Sequence, residues 1–292
     1  MKDIFRAYAK INISLDVVGK REDGYHNLQS VMQSVKLYDK VTIDTDFDGI
    51  RLTSNLSYLP CDERNIVFKA TKLFFDEIGR KPAADIFIDK KIPMGAGLGG
   101  GSADAAATLL GLNKMFSYPV ENKRLEEIGL LCGADVVFCM RGGTHLAEGV
   151  GEILTPLKPL PDCYITIIKP SLSISTKTVF QNFSLSDCDY HPDTEGLLCC
   201  IENGDLQGIA RRSFNVLEKA VESRYKDLEK YKSDLLSFGA LGSCMSGSGS
   251  SVFAIFGSKE NAMKASNYFR KVHKTFAVAV TPLNVYNKLI QK

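Results

Sequence analysis

Apolar positions in the first part of the chain fall into extended segments near 3–9, 11–18 and 41–45, broken by the turn-like string Lys20-Arg21-Glu22-Asp23-Gly24. After Asp62, an N-cap residue by type, Ile66, Val67, Ala70, Leu73, Phe74 and Ile78 recur at helical spacing, and the pattern stops at Gly79. A strand from Asp85 to Asp89 runs into a glycine-rich loop and then an alanine-rich helical run, Ala103 to Leu112. A further helix is predicted from Glu121 to Cys132, ending at Gly133. Three prolines between Thr155 and Pro161 mark a change of composition. Beyond them the pattern predicts a strand (Tyr164 to Ile168), helices near 203–221 and 224–238, a strand (Ser251 to Phe256), a helix (Lys259 to Val272) and a last strand (Phe276 to Thr281).

Strands and helices mix without a long βαβαβ series, which predicts an α+β fold rather than a doubly wound sheet. A length of 292 residues suits two domains, and the proline cluster divides the chain into 1–157 and 158–292. With 36 Lys and Arg against 34 Asp and Glu, the charge balance implies no field for nucleic acid or an anionic membrane, so any anion site must be local. Charges in Met1-Lys2-Asp3-Ile4-Phe5-Arg6 and the lack of any run of about eighteen apolar residues predict a cytoplasmic protein. The eight cysteines are scattered without C-x-x-C spacing and read as buried thiols, with Cys199 and Cys200 packing on a helix.

The loop Pro93-Met94-Gly95-Ala96-Gly97-Leu98-Gly99-Gly100-Gly101-Ser102-Ala103 places five glycines in seven residues directly before the alanine-rich helix. Without Cβ atoms, successive N–H groups can converge on an anion, and a helix N-terminus adds unpaired donors and about half a positive charge. This is a phosphate cradle, suited to a nucleotide such as ATP. Gly95, Gly97 and Gly100 satisfy G-x-G-x-x-G, but Lys90-Lys91-Ile92-Pro93 separates the strand from the loop, which disfavours a dinucleotide fold. Gly95, Gly100 and Ser102 also fit the P-loop frame, except that Gly101 stands where its lysine belongs. Positive charge must come from elsewhere.

On residue type alone the other candidates stay open. Lys10 lies in the mostly apolar Tyr8-Ala9-Lys10-Ile11-Asn12-Ile13, where a lysine is either near the core or on an edge. Asp135 follows a helix end in Gly133-Ala134-Asp135-Val136-Val137-Phe138 and reads as a turn or cap aspartate or as a reactive one. Asp23-Gly24-Tyr25-His26 is either a hairpin turn with a packing tyrosine or a reader of a heterocyclic ring. The string Ser246-Gly247-Ser248-Gly249-Ser250 is either a tight turn or a second loop over an anionic ligand.

Taken together, Ala9-Lys10-Ile11-Asn12, the Pro93 to Ser102 loop and Ser246 to Ser250 resemble the three motifs of the GHMP kinase superfamily, in order and across nearly the whole chain. Asp23-Gly24-Tyr25-His26-Asn27-Leu28-Gln29 and Gly133-Ala134-Asp135-Val136 resemble the branch whose acceptor carries a cytidine diphosphate group. The resemblance implies an N-terminal domain like the second domain of ribosomal protein S5, a ferredoxin-like C-terminal domain, and ligands in the cleft between them. It further implies ATP phosphates on Pro93 to Ala103 with adenine near Asn65 and Lys90, and cytosine between Tyr25 and Phe180 with His26 at its edge. Asp135 would be the general base, Lys10 the stabilising charge and Asn12 an acceptor contact, in an ATP-dependent phosphorylation belonging to non-mevalonate isoprenoid biosynthesis. Magnesium would accompany ATP, with Ser102 the nearest protein ligand. Val137 stands where the family has proline, and Val216 follows Asn215 where an acidic residue is common, so neither Asn215 nor Val216 is assigned to the site.

Overall fold

Two 19-residue strands, β1 (Lys2–Lys20) and β2 (His26–Asp44), form an antiparallel hairpin on which the rest of the first sheet is built. The structure is a computed structural model and describes residues 1–22, 24–172, 174–184, 188, 190–222 and 224–284. Asp23, read above as part of the turn before Tyr25, lies outside the described residues. β3 (Gly49–Ser54) pairs parallel with β4 (Ala83–Asp89), and β4 pairs antiparallel with the far half of β2. β5 (Thr144–Gly149) takes the same edge of the near half of β2 and carries β6 (Ile153–Pro156). The pairing of β1 and β2 shifts register between Tyr8 and Lys10 and between Asn12 and Ser14. Such irregularities re-aim side chains, and here they flank Lys10 and Asn12.

Four helices cover this sheet: α1 (Ile66–Glu77), α2 (Gly100–Met115), α3 (Asn122–Cys132) and α4 (Ala134–Arg141). α2 lies innermost, with Ala103, Ala105, Ala106 and Ala107 fully buried. Small residues let its backbone approach the sheet: a Cβ on Gly111 would come within 2.8 Å of the Phe5 ring. Phe74 and Phe75 of α1 are also fully buried, each contributing roughly 1.5–3 kcal/mol by leaving water.

The second sheet holds β7 (Tyr164–Lys169), β9 (Gly242–Met245), β10 (Val252–Phe256) and β11 (Phe276–Val280) in the order β11-β7-β10-β9, with every neighbour antiparallel. Counted along the chain this is 4-1-3-2, the ferredoxin-like order that the resemblance implies. Between β7 and β9 run α5 (Thr176–Asn182), α6 (Thr194–Asn203), α7 (Leu206–Arg211), β8 (Phe214–Asn215), α8 (Leu217–Val221) and α9 (Leu228–Ser237). α10 (Lys259–Val272), capped by the Ser258 hydroxyl on the Asn261 N–H, has the expected bounds.

Several expectations need correction. The segments near 3–9 and 11–18 are one strand, and 41–45 is only the end of β2. The helix read from Asp62 begins at Ile66, because the cap is Asn65, whose Oδ1 accepts from the Val67 N–H at 2.9 Å. The helix expected over 203–221 is interrupted, since Phe214 and Asn215 leave it to pair parallel with Ser14 and Leu15 of β1. All eight cysteines are free, but Cys61 and Cys199 are exposed rather than buried. No helix among the described residues is long and apolar enough to cross a membrane.

Candidate active site

Four stretches meet around a cleft of about 460 Å³: β1, the loop entering α2, the start of α4, and the turn between β9 and β10. Pro93 through Ser102 line it continuously. Gly95, Gly97 and Gly99 take positive φ, and Gly99, at φ 66°, is the N-cap of α2. Two of these glycines are also required by their neighbours. A Cβ on Gly97 would stand 1.9 Å from the Ser246 carbonyl oxygen, and one on Gly99 would stand 2.9 Å from Cγ of Lys10. The loop is therefore pressed between β1 and the β9–β10 turn. Lys10 N–H donates to the Leu98 carbonyl at 3.0 Å, and the Ser246 hydroxyl donates to the Gly97 carbonyl at 2.9 Å. Ala103 does not reach the cleft: it is fully buried, and its N–H is taken by the Gly99 carbonyl at 2.8 Å.

Lys10 is 5% exposed, and its Nζ donates to Asn12 Oδ1 at 2.7 Å and faces Asp135 Oδ2 at 3.4 Å. Asn12 spends the other end of its amide on the Ser30 hydroxyl, Nδ2 to Oγ at 2.8 Å, so its side chain is fixed and aims the ammonium. Asp135 lies in the first turn of α4, and its side chain is 36% exposed toward the cleft. The segment around Asp135, read as a turn or a cap, is thus the start of a short helix. Val137, where proline was expected, is buried within α4.

Asn65 and Lys90 both line the cleft, but their polar groups are committed. The Asn65 amide caps α1 and donates to the Pro60 carbonyl at 2.7 Å. The Lys90 ammonium is held by Asp39 at 2.5 Å and Asp104 at 2.7 Å. Phe180 of α5 lines the cleft and stacks on His26, ring centroids 5.4 Å apart at 28°. Burial, with a smaller contribution from Lys20, lowers the His26 pKa below its ordinary value. Tyr25 stands outside the cleft wall, 66% exposed.

Residue-by-residue reading missed several parts of the site. Asn215 is 2% exposed; its Nδ2 donates to the carbonyls of Met245 at 2.9 Å and Gly247 at 2.7 Å, which fastens the β9–β10 turn. Its place in the family pattern was visible, but its task depends on the parallel pairing of β8. Thr176 and Ser248 share a hydroxyl–hydroxyl hydrogen bond of 2.8 Å at the cleft wall, which ties α5 to that turn. Nothing in the sequence signals that contact.

The chain matches the GHMP kinase N-terminal domain over residues 65–143 and the GHMP kinase C-terminal domain over residues 198–275. It is 46% identical over 261 residues to a 4-diphosphocytidyl-2-C-methyl-D-erythritol kinase of Lachnoclostridium phytofermentans, covering 89% of this chain and 90% of that one. A protein of the same name from Clostridium novyi is 44% identical over 277 residues, covering 95% and 99%. Among solved structures, a 4-(cytidine 5'-diphospho)-2C-methyl-D-erythritol kinase superposes with a TM-score of 0.82 at 30% identity, covering 97% and 99% of the two chains. The homoserine kinase of Cytophaga hutchinsonii, with a TM-score of 0.78 at 24% identity, shares the fold. The chain therefore belongs to the GHMP kinases, in the family of 4-diphosphocytidyl-2-C-methyl-D-erythritol kinases.

Proposed function

We propose that the protein transfers the γ-phosphoryl group of ATP to the 2-hydroxyl of 4-diphosphocytidyl-2-C-methyl-D-erythritol. The observation that carries this reading is the Lys10–Asp135 pair, 3.4 Å apart in the same cleft as the glycine loop. Relatives named for that acceptor support the choice of substrate. Triphosphate oxygens would rest on the N–H groups of the loop and the first turn of α2, where the helix dipole is positive. Asp135 takes the proton of the acceptor hydroxyl as its oxygen bonds to the γ-phosphorus, and the bond to the β–γ bridging oxygen breaks to release ADP. Lys10 supplies the charge that a P-loop lysine would provide at Gly101, stabilising the phosphoryl oxygens as charge develops.

Among the described residues no cluster of His, Cys, Asp or Glu could hold a metal ion by itself. The one hydroxyl of Ser102, lining the cleft at the start of α2, fits an ion that draws its other oxygens from phosphates and water. Magnesium held there would neutralise triphosphate charge. For the acceptor, Phe180 and Tyr25 would take the two faces of cytosine and His26 its edge. We further propose a division at 157/158 between the two domains, with the phosphate loop in the first. The test is phosphoryl transfer from ATP to the cytidine-bearing acceptor, measured beside homoserine and mevalonate.

A further inference from the structure

Beneath the phosphate loop lies a charged cluster that the proposed reaction does not use. Asp39 of β2 is fully buried, and the side chains of Lys90 and Asp104 are each 3% exposed. One Asp39 oxygen accepts the N–H groups of Lys91 and Ile92, the latter at 2.7 Å, and the other meets Lys90 Nζ at 2.5 Å. The same ammonium reaches Asp104 Oδ2, near the start of α2, at 2.7 Å. A Cβ on Gly100 would come within 3.2 Å of this nitrogen, so the ammonium sits under the first residue of α2. The Lys90 main chain is clasped too, its N–H by Asn55 Oδ1 at 2.8 Å and its carbonyl by Asn55 Nδ2 at 3.2 Å.

Burying three ionisable groups carries a desolvation cost that their mutual attraction must offset, and apolar residues of similar size would often stabilise the fold as well. What this cluster adds is geometry. It joins β2, the exit of β4 and the start of α2 at the point where the loop departs. Burial alone would lower the Lys90 pKa, but Asp104 and Asp39 outweigh it and hold the ammonium protonated, while burial raises the Asp104 carboxyl well above the usual carboxylate range.

We propose that Asp39 is a positioning residue for the nucleotide: through Lys90 and the N–H groups of Lys91 and Ile92 it sets where the phosphate loop starts relative to α2. Lys90 then acts through this hold and not by touching ATP. The proposal rests on ATP being the donor. It separates cleanly from direct contact, because a Lys90 that bound ATP would be freed by the loss of Asp39, and ATP would bind as well or better.

The experiment titrates a non-hydrolysable ATP analogue into the full chain as wild type, Asp39→Asn, Lys90→Met and the double variant, and follows KM for ATP and acceptor in the same proteins. Asp39→Asn keeps an oxygen for the two N–H groups and gives up the charge that holds Lys90. We expect each single variant to weaken analogue binding by about tenfold, the double variant to be no worse than either, and acceptor KM to stay within about twofold. Asp39→Asn binding the analogue as well as wild type overturns the proposal. So do losses that multiply in the double variant, or ATP and acceptor KM that rise together. A wild type that does not bind the analogue removes the donor reading and this proposal with it, whereas a wrong acceptor leaves the binding result intact. Should Asp39→Asn yield no folded protein by circular dichroism, Asp104→Asn carries the same test, with weaker analogue binding expected and unchanged binding contradicting it.

Discussion

Lys10 Nζ stands 3.4 Å from Asp135 Oδ2, with the lysine buried and the aspartate open to the cleft. The two come from β1 and α4, and each is held by its own element: Lys10 by Asn12, Asp135 by the first turn of a helix. Lys10 also packs against the glycine loop, its Cγ within 2.9 Å of where a Cβ on Gly99 would stand, so one ammonium lies between Asp135 and that loop.

Asp135→Asn removes the base and retains the shape. Turnover is expected to fall by at least about 10²-fold while the Kd for an ATP analogue changes little. Steady-state kinetics and titration check this, and near-normal turnover would remove Asp135 from the mechanism.

Gly97→Ala tests the packing of the loop against the β9–β10 turn. The new methyl group would meet the Ser246 carbonyl at 1.9 Å and be held at φ 72°. A loss of about 1–3 kcal/mol in urea unfolding is expected, together with weaker ATP binding. Unchanged values for both would mean that loop and turn do not press on each other.

Phe180→Ala and Tyr25→Ala address the acceptor. Each should raise acceptor KM by about tenfold and leave ATP KM close to wild type, since an aromatic stack is worth about 1–3 kcal/mol per base. Phe180 should matter more, because it lines the cleft while Tyr25 is exposed. Equal effects on both substrates would indicate a general disturbance of the fold.

His145 gives a pH dependence of stability separate from catalysis. Burial, then the charge of Arg141, lowers its pKa to about 4. Unfolded, it titrates at its ordinary value of about 6.5. Between these values the unfolded chain binds a proton that the folded chain refuses, so this contribution is complete above about pH 6.5 and drains away as pH falls toward 4. Thermal unfolding at about pH 7 and pH 5 should show a larger drop for wild type than for His145→Gln. Equal drops would mean that His145 is not the group responsible.

The candidate site was most legible where its residues are consecutive, as in the loop that lines the cleft from Pro93 to Ser102. Five glycines before a helix are the pattern of an anion cradle, and the absence of lysine at Gly101 directs attention to Lys10. α10 was legible because an amphipathic pattern follows a serine cap. β2 was not, because its polar residues are buried and bonded across the sheet: Ser30 Oγ donates to the Ser14 carbonyl at 2.6 Å, and Gln33 Oε1 accepts from the Thr144 hydroxyl at 2.7 Å. Alternation disappears when both faces of a strand are covered. α4 was hidden for the same reason, since Val136 to Met140 are all buried and leave no polar stripe. The commitments of Lys90 to Asp39, and of Asn215 to the β9–β10 turn, span 51 and about 30 residues, beyond the reach of any local pattern.

The most direct measurement is phosphoryl transfer from ATP to each of three acceptors by the same purified protein: 4-diphosphocytidyl-2-C-methyl-D-erythritol, homoserine and mevalonate. The account predicts turnover of the cytidine-bearing acceptor, with the other two near background. Turnover of homoserine or mevalonate without the first would contradict it.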